Sequence, residues 1–350
     1  FDSLCKTGSA NEDTRRVIGL VGHSSTLLCG GRQVLRGPRV LPWVLMPDSS
    51  ALVESVDAVL AALNKHDYLC DRGLATSIHL AASLSRPLLL EGEAGVGKTE
   101  VAKVLAAVTG GELIRLQCYD GIDATQALYE WNYTRQLLHL RAAEATGTAQ
   151  ADNTDALEDE LFTERFLIRR PLLAAIDHRS EIPPVLLIDE VDRADDEFEA
   201  FLLEALSDYS VTIPELGTFH ADNPPIVVIT SNRTRDVHDA LKRRALYHWV
   251  DHPNFEREVA IIAAKAPTVP GPLARQVAAA ASEFREMGLY KPPGIAETLD
   301  WANALHLLGA SELTESNVDD TLGALLKYRE DQDRARRTGL DAVIKVALGA

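Results

Sequence analysis

One stretch constrains this chain more than any other: Arg86-Pro-Leu-Leu-Leu-Glu-Gly-Glu-Ala-Gly-Val-Gly-Lys-Thr99. A short apolar strand, Leu88–Leu90, runs into Gly92-x-x-x-x-Gly97-Lys98-Thr99. A helical pattern starts near Lys98 and stops at Gly110-Gly111. Glycines at these points let backbone N–H groups turn inward around an anion, and the helix adds its positive N-terminal end. Lys98 then supplies a point charge to the β- and γ-phosphates, and Thr99 offers a hydroxyl to Mg²⁺. This is the P-loop signature. It predicts that Gly92, Glu93, Ala94, Gly95, Val96, Gly97, Lys98, Thr99 and Glu100 surround a nucleoside triphosphate. An ordinary Gly-rich turn is the bland alternative. Agreement in residue type, order and flanking context argues against it.

A second motif supports the first. Val185-Leu-Leu-Ile-Asp189-Glu190 is an apolar strand ending in two acids. Ligands of open α/β sheets sit at the carboxyl ends of strands. Asp189 is therefore the candidate to hold Mg²⁺ together with Thr99, and Glu190 the candidate to polarise a water. Ile226–Thr230 reads as another buried strand, followed by Ser231-Asn232. Asn232 is placed to orient the attacking water. Ala240-Leu-Lys-Arg-Arg244 follows, and a cation there can serve a neighbouring subunit's γ-phosphate as an arginine finger. Arg244 is the first choice and Arg243 the second. Leu246–Val250 closes the sheet as its fifth strand.

Composition narrows the function classes. The net charge is −17, which does not favour nucleic acid, because phosphate contacts need clustered Lys and Arg. No apolar stretch reaches the ~20 residues that span a bilayer. Cys5, Cys29, Cys70 and Cys118 form no CxxC pair and do not suggest a disulfide scaffold, so a reduced cytoplasm fits. The sequence begins at Phe1, so a fragment or a misassigned start is expected.

Three regions are expected. Residues 1–49 hold neither the helix nor the strand period and read as a poorly ordered extension. Residues 50–252 form the α/β nucleotide domain. There Val53, Val56, Val59, Leu60 and Leu63 recur at helical spacing, and a second helix covers about 71–84, with His79 as a packed or solvated residue. Tyr119, Tyr129, Trp131 and Tyr133 cluster on an expected loop or hairpin, either as a contact surface or as a local core. Ala142–Glu160 reads as an acidic surface segment, Phe166–Ile176 as helix, and 211–220 as a small hairpin. Residues 253–350 are helical in pattern throughout and form a separate lid. The mixed charges of Lys327–Arg337 read as a solvated helix face.

The ordered set Gly-x-x-x-x-Gly-Lys-Thr, Ile-Asp-Glu, Thr-Ser-Asn and Arg-Arg, followed by an all-helical lid, resembles AAA+ ATPases. The hairpin before the Asn232 strand and the insert after the second strand resemble the MoxR family. Tyr68–Leu74, Leu116–Tyr133, Leu206–Thr218 and Lys291–Trp301 look like the branch associated with maturation of molybdenum–copper carbon monoxide dehydrogenase. The resemblance implies a five-stranded parallel sheet of order 5-1-4-3-2 with a helical lid, and ATP with Mg²⁺. It also implies a homo-oligomeric ring, usually a hexamer, a partner with a von Willebrand factor A domain, and a client metalloenzyme. It places Tyr68–Leu74 against the adenine. The sequence departs from it at the lid, where Pro293-Gly-Ile-Ala-Glu297 offers no Arg for the γ-phosphate and Lys291 is a weak substitute. Two other readings stay open: a nucleotide-gated scaffold with little turnover, and a metal or sulfur carrier using Cys70 and Cys118.

Overall fold

The computed structural model describes residues 28–29, 32–33, 51–146 and 160–350. Apart from the paired strands Leu28–Cys29 and Arg32–Gln33, the extension expected over 1–49 lies outside the described residues, as does most of the acidic segment 142–160.

Five strands make the central sheet: β1 (Leu88–Glu91), β2 (Leu113–Gln117), β3 (Val185–Asp189), β4 (Ile226–Ser231) and β5 (Leu246–Trp249). All are parallel, in the order β5-β1-β4-β3-β2. A parallel sheet needs cover on both faces, and its strands therefore read as continuous apolar runs. β3 is the clearest case, with Val185, Leu186, Leu187 and Ile188 all fully buried. Alternate residues feed opposite cores: Leu186 and Ile188 join Leu116 and Ile229 on one face, while Val185 and Leu187 join Leu88, Leu90 and Val228 on the other. Each such side chain contributes about 2 kcal/mol by leaving water.

The second face is covered by helices Val56–Lys65, Arg72–Leu84 and Lys98–Thr109, the first face by Pro171–Ile176, Asp196–Asp208 and Asp239–Arg244. Their starts follow the sequence. Ser55, Asp71 and Asp195 accept from the backbone N–H three residues on, as N-caps do. His79 Nδ1 lies 2.9 Å from the Leu52 carbonyl, which makes it a packed helix residue.

The insert differs from the sequence expectation. Tyr129–Trp131 pairs antiparallel with Leu167–Arg169, so the helix expected over 166–176 begins only at Pro171. A three-residue strand is too short to show a period of two, and only its partner across the ribbon holds it. The aromatic cluster divides: Trp131 is core beside Phe166, whereas Tyr119 and Tyr133 are exposed, Tyr133 at the start of helix Tyr133–Thr146. The hairpin Ser210–Ile213 with Gly217–His220 lies where it was expected.

Six helices follow Asn254 among the described residues and close on their own core around Trp301 and Phe284. The fully buried Trp301 satisfies its indole N–H on Thr321 Oγ1 at 2.7 Å. A buried ion pair organises this part: Arg285 donates to both Glu258 carboxylate oxygens, at 2.7 and 2.6 Å, and to the Pro293 carbonyl. No helix among the described residues is long and apolar enough to cross a membrane.

Candidate nucleotide site

Register brings the site together. Ser231 pairs with Glu91, Ile229 with Ile188, and Gln117 with Asp189. The ends of β1, β4, β3 and β2 therefore lie along one carboxyl edge, where the P-loop, Glu190 and Asn232 emerge.

The loop has the geometry of an anion cradle. Gly95 and Gly97 take φ of +81° and +94°, values that L side chains resist. A Cβ on Gly92 would meet the Val250 carbonyl at 2.4 Å, so only glycine lets the chain leave β1 there. Lys98 Nζ donates to the Gly92 and Glu93 carbonyls at 2.8 and 2.6 Å, folding its ammonium over the loop. Burial pulls its pKa down to about 8, against the opposing pull of Asp192, Asp189, Glu190 and Glu93.

Thr99 Oγ1 donates to Asp189 Oδ1 at 3.0 Å, which joins the two expected metal-holding residues directly. Thr230 Oγ1 donates to the same oxygen at 2.6 Å and accepts from the Glu190 N–H at 2.9 Å. Arg115 reaches Asp189 Oδ2 through Nε at 3.1 Å and Nη2 at 2.5 Å. Glu190 stands at φ +57°, an uncommon conformation for a non-glycine residue, which turns it off the strand end. Its carboxylate accepts from Gln117 Nε2 at 3.2 Å, lies 3.0 Å from Arg193 Nε, and is 3.5 Å from Asn232 Nδ2.

Asn232 is positioned by Asp192, which the sequence reading passed over. The buried Asp192 carboxylate accepts from the N–H groups of Asn232 and Thr234 at 3.1 and 2.9 Å, and from Thr234 Oγ1 at 2.6 Å. Thr230 and Gln117 were missed as well. Their signal was a polar residue at the end of a strand flanking the Asp-Glu strand.

The remaining expected residues are placed as follows. The Glu93 carboxylate pairs with His252 at 3.3 Å, and that of Glu100 pairs with Lys103 and Lys265 at 3.0 and 3.5 Å. Glu100 thus offers the cradle only its backbone. Tyr68–Leu74 is tied to the lid, where Arg257 donates to the Leu69 carbonyl at 2.8 Å. Arg244 is not brought to this edge. Ala245 and Arg244 lie beside Arg86, where Leu246 N–H meets the Pro87 carbonyl at the opposite end of β1. Arg243 and Arg244 are both exposed, and Arg244 Nη1 is bonded within its own chain, to the Leu203 carbonyl and Ser207 Oγ. Lys291 is exposed, and its N–H is bonded to Asp331 at 3.0 Å.

The lid sits on the loop without a cation. Ile295 N–H donates to the Gly95 carbonyl at 2.9 Å, and a Cβ on Gly294 would lie 2.8 Å from both Ala94 O and Gly95 Cα. Glu297 Oε2 caps the Gly294 N–H at 3.1 Å.

These residues fit ATP with Mg²⁺: the loop has positive-φ glycines at 95 and 97 and carries the Lys98 ammonium, and Thr99 with Asp189 supplies a hard oxygen pair. Residues 87–245 match the family profile described as AAA domain (dynein-related subfamily). Two solved structures of RuvB from Thermotoga maritima, one titled a Holliday junction branch migration motor and one a glycine-for-proline mutant, are 17% identical. They cover 85% of this chain and 80% and 81% of their own, with TM-scores of 0.41 and 0.42. None of the curated proteins matches. The P-loop and the Asp-Glu strand both fall within the stretch that is similar to the AAA domain, a family that uses ATP with Mg²⁺.

Proposed function

We propose that this chain is an ATP-hydrolysing remodelling ATPase that works as a homo-oligomeric ring, a hexamer, in the cytoplasm. Its α/β part spans 50–252 and its lid 253–350. The observation that carries the reading is the convergence of Lys98, Thr99, Asp189, Glu190 and Asn232 at one sheet edge, with the lid seated on the loop.

When bound, ATP supplies the γ-phosphoryl group and Mg²⁺ the charge that counters it. The chain does the rest. Backbone N–H groups of the loop and Lys98 bind phosphate oxygens, and Thr99 with Asp189 holds the metal. Glu190 takes a proton from water, and Asn232 orients that water. A basic residue from the Arg243–Arg244 pair reaches a neighbour's site, and Arg243 is the freer of the two. Glu190→Gln should leave nucleotide affinity within about threefold and cut turnover by at least about a hundredfold. Unchanged turnover would remove Glu190 as the base. Turnover per chain should rise with protein concentration, and Arg243→Ala should flatten that rise more than Arg244→Ala. Equal, concentration-independent rates would sink the shared site.

We further propose that the client is a metalloenzyme of carbon monoxide dehydrogenase type, engaged with a von Willebrand factor A domain partner. This rests on the sequence likeness of Leu116–Tyr133 and Lys291–Trp301. Client metal content in cells carrying Glu190→Gln tests it, and full loading would refute it.

One observation favours the scaffold reading: the Glu190 carboxylate is held by Gln117, Arg193 and Asn232. A low rate that assembly does not raise would support it. The carrier reading fares worse. Burial pushes the Cys70 thiol up to about 11 and the Cys118 thiol up to about 12, so both stay protonated near neutrality. Among the described residues no group of three or more His, Cys, Asp or Glu could hold a metal.

A further inference from the structure

Asp189 is buried, and its side chain is only 4% exposed. A carboxylate taken out of water is costly unless a counter-charge and hydrogen bonds face it. Two hydroxyls, from Thr99 and Thr230, satisfy Oδ1. Hydroxyls supply hydrogen bonds but no net charge. Among the described residues the one cation within 4.0 Å is Arg115, on the neighbouring strand β2, and it holds Oδ2 through two nitrogens.

The two partners are unequal. Asp189 ends a buried strand and has nowhere else to go. The Arg115 side chain is 55% exposed, and its Nη2 already has a second acceptor, Gln117 Oε1, at 2.5 Å. Withdrawing Arg115 from Asp189 therefore leaves the guanidinium solvated and still hydrogen-bonded. Withdrawing Asp189 would strand a buried charge.

We propose that Arg115 is the exchangeable counter-ion of Asp189: it neutralises the carboxylate before Mg²⁺ is taken up and yields it on loading. This rests on the ATP-binding reading above. Arg115 is a positioning residue, and its effect falls on metal affinity. Two cations then compete for one carboxylate, so removing Arg115 should tighten Mg²⁺ uptake. A residue that merely props Asp189 in place would do the reverse, because its loss would loosen the metal site.

The test is binding of a fluorescent ATP analogue to the full chain over a Mg²⁺ series, with a melting curve in EDTA as a second readout. Arg115→Met should lower the Mg²⁺ midpoint about threefold to tenfold, the scale of a partly exposed ion pair. It should also lower the melting temperature in EDTA, with the difference closing in saturating Mg²⁺. Arg115→Lys keeps the charge but loses the two-nitrogen contact, so its midpoint should fall between those of wild type and Arg115→Met. If Arg115→Met does not fold, Arg115→Gln is read in the same way. A midpoint that rises or does not move, with nucleotide still bound, overturns this inference alone. Wild-type protein that binds no nucleotide overturns the ATP reading and this inference together.

Discussion

The lid's seat on the P-loop can be tested by adding one carbon. Gly294 has φ −83° and ψ −177°, an extended conformation open to any residue, so Gly294→Ala introduces no backbone strain. The effect is steric. The new Cβ would lie 2.8 Å from Ala94 O, 2.8 Å from Gly95 Cα and 2.9 Å from Glu297 Oε2. Glu297 can swing away, but the first two are backbone atoms. Non-bonded heavy atoms settle near 3.5 Å, so lid and loop must part by about 0.7 Å. That shift carries the Ile295 N–H to Gly95 O bond, now 2.9 Å, past hydrogen-bonding distance.

Overpacking of this kind costs about 1–3 kcal/mol, and the lost hydrogen bond adds about 1 kcal/mol. Protection of the Ile295 amide should therefore fall by about thirtyfold to a thousandfold, at 1.4 kcal/mol per factor of ten. Hydrogen exchange read at residues 94–96 and 294–297 measures it. Gly271→Ala is the control, because a Cβ there meets nothing within 4 Å. If Ile295 exchanges in Gly294→Ala as it does in the control, the lid does not rest on the loop in solution and the argument fails.

Two further outcomes follow from charge. With a pKa of about 8, Lys98 is mostly an ammonium at pH 7 and loses its proton above pH 8, so nucleotide must then recruit one. The Kd for ATP should weaken about tenfold between pH 7 and pH 9, and Lys98→Gln should remove that slope; a wild-type Kd flat to pH 9 would contradict it. Arg285→Met should cost about 3–5 kcal/mol in denaturant unfolding, since it leaves Glu258 charged and buried; restoration by Glu258→Gln in the same chain would confirm the pair as the cause.

Much of the site was legible because its chemistry is local. Gly92 to Thr99 are contiguous, and Asp189-Glu190 end a run of four apolar residues, so type and order alone single them out. Gln117, Arg115 and Thr230 were not legible in that way. Each reaches Asp189 or Glu190 only because β2, β3 and β4 are laid side by side in one register, and a shift of one residue would turn each to the other face. Asp192 was hidden for a different reason: it reads as one more acid in Asp189-Glu-Val-Asp-Arg, and only the fold shows it buried and holding the Asn232 loop. The ribbon strand Leu167–Arg169 depends wholly on its partner Tyr129–Trp131.

The lid shows how a correct sequence observation can leave its consequence open. Pro293-Gly-Ile-Ala-Glu297 offers no Arg for the γ-phosphate, and the sequence names only Lys291 in its place. The structure supplies a different contact, backbone to backbone, between Gly294–Ile295 and Ala94–Gly95. An arginine at this place would answer to phosphate charge. A close glycine contact answers to the shape of the loop, because van der Waals repulsion rises steeply over a few tenths of an ångström while Coulomb attraction falls off slowly. A change of shape at residues 94–95 is therefore felt first at the start of the helix Ile295–Leu307. The ion pair of Arg285 with Glu258, and its bond to the Pro293 carbonyl, join the segment before that helix to helices Phe255–Lys265 and Gly271–Glu286.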